Sequence, residues 1–88
     1  MPRFYMHFVD DHGVATDPEG FEAFDETAAR LVGMKAAGAI IADEMAQGRQ
    51  TVAFILCLED SDKVRIGTLP VAASVAGFAS PRFSPGAT

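Results

Sequence analysis

The chain has no tryptophan, one cysteine, one tyrosine and only seven lysines and arginines among 88 residues. With Cys57 alone, no disulfide can form within the chain. Cys57 sits in the apolar run Val52-Ala53-Phe54-Ile55-Leu56-Cys57-Leu58 and reads as a small buried hydrophobe. A reactive thiol would have basic neighbours or a helix N-terminus, whereas the next charges here are Glu59 and Asp60. Arg3, Arg30, Lys35, Arg49, Lys63, Arg65 and Arg82 stand singly against 12 acidic residues, for a net charge of −5. Nucleic-acid binding draws on clustered cations that displace counterions, so no nucleic-acid partner is expected. No apolar run reaches signal-peptide or transmembrane length, and a cytoplasmic protein without membrane contact is the expectation.

Catalytic signatures are missing as well. There is no Gly-x-Ser-x-Gly, no phosphate-binding glycine loop before a helix, and no His-x-x-x-His or Cys-x-x-Cys. Ser61, Ser74, Ser80 and Ser84 fall in turns or the tail with no activating base nearby in sequence. His7 and His12 with Asp10, Asp11, Asp17, Glu19 and Glu22 form the one polar constellation to weigh. Zinc would need more nitrogen or sulfur ligands, and the carboxylates lack the ordered spacing of a calcium loop. They read as turn formers and a solvated acidic rim, with His7 a half-buried strand residue bonded to backbone. No catalytic, cofactor-binding or metal-ligating residue is assigned, no cofactor is expected, and the chain reads as a non-enzyme.

What is present is strand, helix and strand. Arg3–Asp10 alternates Phe4, Met6 and Phe8 with Tyr5, His7 and Val9, the period of two of a strand. Asp10-Asp11-His12-Gly13 supplies a turn, and Val14-Ala15-Thr16 returns until Pro18 interrupts pairing. Phe21 and Phe24 are expected to anchor the connection on the core. Asp25 is the helix N-cap, and the helix is expected from Glu26 to about Gln47, ending at Gly48. At 100° per residue Glu26, Arg30, Glu44 and Gln47 share a polar sector, with Leu31, Met34, Ala42 and Met45 broadly opposite. Ile40 and Ile41 spread the apolar surface further, which suggests burial on more than one side, by a second subunit or by other segments of the chain. Gly33 and Gly38 weaken the helix and point to close backbone approach, to the sheet or to a partner. Thr51–Leu58 reads as a central strand covered on both faces. Glu59–Lys63 is a polar turn, Val64–Leu69 a fourth strand ended by Pro70, and Val71–Phe78 a helical turn or irregular cover. The fold class is α+β, ββαββ: a four-stranded antiparallel sheet with one central helix on one face. The domain spans residues 1–78, with a flexible tail over 79–88.

Four segments carry a resemblance. These are Met1-Pro2-Arg3-Phe4-Tyr5-Met6-His7-Phe8, the turn Asp11-His12-Gly13, and Asp17-Pro18-Glu19-Gly20 leading to Asp25-Glu26-Thr27-Ala28-Ala29-Arg30. The fourth is the acidic turn before a strand ending Leu69-Pro70. Over roughly residues 1–72 the chain resembles a bacterial family known as a domain of unknown function, number 6894. It departs from the family pattern at Ala23-Phe24, where Leu-Pro is usual, and at Glu59-Asp60-Ser61-Asp62, which lacks a glycine. The resemblance implies a single-domain bacterial protein and no particular activity.

A chain this short, without a disulfide, buries too little surface to be comfortably stable alone. The expected function is therefore a non-enzymatic homodimeric protein-interaction module. The alternatives are a small regulatory domain, antitoxin-like or DNA-associated, and a metal or ligand carrier using the acidic hairpin.

Overall fold

The computed structural model describes residues 1–78, so the tail expected at 79–88 lies outside the described residues. The order of elements is β1 (Arg3–Asp10), β2 (Gly13–Ala15), β3 (Phe21–Glu22), α1 (Glu26–Ala46), β4 (Thr51–Glu59) and β5 (Arg65–Ser74). This is the α+β arrangement expected, with one added strand: the sheet runs β2-β1-β4-β5, all antiparallel, and the short β3 also pairs with β1. β2 meets β1 at Phe8–Asp10 and β3 meets it at Arg3–Phe4, so both lie along its outer edge.

The alternation in β1 sends Phe4, Met6 and Phe8 toward α1, where they join Val52, Phe54, Leu56 and Leu58 of β4. Phe8 and Phe54 stack with centroids 5.0 Å apart. Because the sheet supplies these large side chains, the helix meets it with small ones: Ala29, Gly33 and Ala37 are its buried residues. A Cβ on Gly33 would stand 3.1 Å from Met6 Cε, so this glycine serves close approach to the sheet. Asp25 caps the helix, its side chain accepting the Ala28 N–H at 2.8 Å. Gly48 follows the Gln47 cap and takes a left-handed conformation, φ +92, that glycine tolerates.

α1 is turned to seat its small residues on the aromatic strand surface, which leaves Leu31 and Met34 56% and 58% exposed. Two expectations are corrected. Phe24 does not anchor the connection; it is exposed, while Phe21 packs near Phe4 in β3. Pro70 does not end the last strand, which runs on through it to Ser74. The Val75 N–H donates to the Gln50 carbonyl, and bonded pairs alternate along an antiparallel ladder. Pro70, opposite Ile55, therefore occupies a non-bonded pair with its nitrogen facing the outer edge, where no ladder bond is lost.

β4 is the central strand, as expected, but its second face is covered only in part: Cys57 is buried there, whereas Ala53 and Ile55 are exposed. Its other face, with Ala53 and Ile55, continues across Val9 and Val14 on one side and Pro70 and Ala72 on the other, and carries no second layer among the described residues.

Candidate functional site

The polar residues that drew notice in the sequence divide into two groups. His7 projects from the open face of β1, opposite Cys57 in the β4 register. Its Nε2 lies 2.8 Å from Glu59 Oε1, and its Nδ1 accepts the Asp17 backbone N–H at 3.0 Å. With Nδ1 accepting, the ring proton sits on Nε2 and is donated to Glu59. The Asp17 carboxylate accepts the Met6 N–H through Oδ2 at 3.1 Å and the Gly20 N–H through Oδ1 at 2.9 Å. Asp17 thus fills the stretch of β1's outer edge between β2 and β3, satisfying a donor that neither short strand reaches. Gly20 closes the turn at φ +71, and a Cβ there would stand 2.5 Å from the Phe4 carbonyl oxygen. Arg3 completes the lashing, donating to the Glu19 carbonyl at 2.7 Å and to Glu22 at 3.2 Å.

His12, Asp10 and Asp11 form the second group and lie in the β1–β2 turn. Asp10 Oδ1 accepts the His12 N–H at 2.8 Å, and the side chains of His12 and Asp11 are exposed. The structure does not bring His12 to His7; among the described residues no three of His, Cys, Asp and Glu gather as a metal site. Glu19 and Glu22 belong to the β3 connection, where the Glu19 backbone carbonyl and the Glu22 carboxylate accept from Arg3.

Beyond the end of β1, β4 runs on unpaired on that side and an open cleft of about 790 Å³ forms. Asp10, Asp11, His12, Glu44 and Arg49 are among its lining residues, together with Phe8 and Phe54. Arg49 and Glu44 are ion-paired to each other. Among the described residues no polar side chain is buried. Cys57 is buried and is a free thiol. Ser61 and Ser74 lie in the β4–β5 turn and at the end of β5, whereas Ser80 and Ser84 are outside the described residues.

The β4–β5 turn shows how the chain manages without the expected glycine. Asp60 Oδ1 accepts the N–H groups of Asp62 and Val64, and Lys63 takes the left-handed conformation at φ 63. Its Nζ then lies 4.5 Å above the Tyr5 ring, a cation–π contact that helps hold the turn over the open sheet face.

The apolar surface that the sequence suggested is present, but on other residues than Ile40 and Ile41. Among the described residues the large buried hydrophobes are Phe4, Val52, Phe54, Leu56 and Leu58, whereas Val14, Phe24, Leu31, Val32, Met34, Ile55 and Val64 are exposed. The described helix is not long and apolar enough to cross a membrane.

Residues 3–72 match the family model described as a domain of unknown function (DUF6894). No curated protein and no solved structure matches the chain.

Proposed function

The chain belongs to the DUF6894 family, and from that premise we propose that it is a non-enzymatic interaction module that works as a homodimer. The supporting observation is the distribution of its apolar side chains. Exposed large hydrophobes outnumber buried ones among the described residues; Leu31, Val32 and Met34 lie together on α1, Val14 and Ile55 on the open sheet face, and Met1, Phe24, Val64, Val75 and Phe78 in termini and connections. Scattered single hydrophobes need no explanation, but contiguous ones on a small domain mark a contact surface. The polar groups support the same reading: His7, Asp17, Glu59 and Arg3 are committed to holding strands together. They are not arranged about a reacting atom.

Native mass spectrometry of the full chain, purified without added metal or chelator, tests this. The expected species is twice the 9.3 kDa chain mass. A single-chain mass persisting at high micromolar concentration would sink the homodimer, and an added non-protein mass would favour a carrier.

A further inference from the structure

We infer that the open half of the β4 edge, at Thr51 to Ala53, takes an extended peptide segment as an added strand, one that carries lysine or arginine ahead of an apolar residue. The inference does not depend on the chain being a dimer.

An antiparallel ladder turns the backbone groups of successive residues to opposite sides of the strand. The Val75 N–H donates to the Gln50 carbonyl, so Gln50, Val52 and Phe54 bond toward β5, whereas Thr51, Ala53 and Ile55 turn theirs toward β1. β1 answers Ile55 through Val9 and then turns back into β2 at Asp10 to Gly13. The N–H and C=O groups of Thr51 and Ala53 therefore face the open cleft, and among the described residues nothing bonds to them there. Both residues are exposed. Two donors and two acceptors at ladder spacing are what an incoming strand pairs with. The outer edge of β5 is longer, but Pro70 removes a donor from its middle.

A second copy of β4 does not fit this edge. In the register that pairs Thr51 of each copy with Ala53 of the other, Gln50 of the second copy falls opposite Phe54. The β1 register already gives that position to Asp10. The space suits a short segment with no strand of its own beside it.

The surroundings give that segment its chemistry. Residues directly opposite in an antiparallel pair share a face of the sheet. The residue opposite Val52 thus turns to the helix side, where Phe8, Ile40 and Phe54 line the cleft, and it is apolar. A strand antiparallel to β4 runs in the direction of β1, so its amino-terminal residues lie where β1 stops, beside Asp10 and Asp11. Among the described residues neither of these carboxylates pairs with a lysine or arginine, whereas Glu44 is ion-paired with Arg49. The cation therefore belongs at the amino-terminal end of the segment.

The probe is the capped peptide acetyl-Lys-Lys-Thr-Leu-Thr-amide, titrated at low salt into the isotope-labelled full chain with backbone amide shifts as the readout. Saturable binding is expected, with the largest shifts at Thr51, Ala53 and the turn from Asp10 to Gly13. N-methylation of both threonines removes the N–H groups aimed at β4 and should weaken binding about tenfold, the order expected for two lost ladder bonds. N-methylation of the leucine, whose N–H points away from β4, should weaken it less than that. Replacing both lysines of the peptide by glutamate should abolish binding. In the protein, Asp10→Asn with Asp11→Asn should weaken it about fivefold, the order expected for two exposed charge contacts. Asparagine keeps an acceptor for the His12 N–H, so the turn survives. No saturable shift at millimolar peptide would overturn the site, as would shifts confined to α1 or to the β5 edge. Equal losses from the threonine and leucine N-methyl peptides would overturn the strand pairing. A monomer that binds the peptide would remove the homodimer and leave this site; a dimer that does not bind it would do the reverse.

Discussion

The outer edge of β1 and the underside of α1 are held by opposite means. Along β1, Asp17, Gly20, His7 and Arg3 tie two very short strands and a loop through directional hydrogen bonds. Beneath α1 there are almost no such bonds; Arg30 donating to the Ile66 carbonyl at 2.7 Å is the exception. There, Ala29, Gly33 and Ala37 lie on large strand side chains, and a gap of about 150 Å³ remains beside Gly33 and Gly67. A directional lashing fixes one geometry and fails when one atom is removed. A loosely filled apolar contact tolerates change and has room to improve. The first region sets the register of the sheet, and the second leaves the helix's larger side chains free for other contacts.

Three substitutions probe that contrast. Phe4 is 2% exposed and joins β1 to Ala23, Ala29 and Leu58. Phe4→Ala should lose about 3–5 kcal/mol in urea unfolding, and a loss under about 1 kcal/mol would mean the β1 end of the core collapses to fill the space. Asp17→Ala should lose about 2–4 kcal/mol, because the N–H groups of Met6 and Gly20 are both left without their acceptor. Asp17→Asn, which keeps one acceptor oxygen, should recover part of that; equal losses in the two variants would show that the carboxylate does not bridge. Gly67→Ala should move the other way, a gain of about 0.5–1 kcal/mol. The Gly67 φ is not positive, and an added Cβ would touch the Arg30 side chain at an ordinary 3.7 Å. A loss there would show the helix side to be as exacting as the β1 edge.

Much of this fold is legible in local sequence, because much of it is governed by local rules. The period of two in Arg3–Asp10, the Asp25 cap and the breaker at Gly48 each act within a few residues. The rotation of α1 is different. Its apolar residues spread around the cylinder, and the side that wins is the one whose small residues fit the aromatic strands, a fact of the partner surface. Phe24 was misplaced for the same reason: its neighbour Ala23 took the buried position. Among the polar residues, Asp17 had a visible signal, since an Asp followed three residues later by Gly is a frequent side-chain-capped turn. That it would also serve Met6 depends on β2 and β3 leaving a space between them. The bond from His7 to Glu59 spans 52 positions and exists only in the β1–β4 register.

Pro70 has a consequence for the fate of the chain in a crowded solution. β5 is the last strand of the sheet, and its outer edge is a ready template for any extended segment that drifts against it. At mid-strand that template has a blank, since the outward-facing nitrogen of Pro70 carries no hydrogen. An incoming strand in register would leave one carbonyl unanswered and meet the pyrrolidine ring as well. Growth of the sheet beyond its four-strand path is blocked there. Pro70 thus guards the long outer edge of a chain that exposes many hydrophobes.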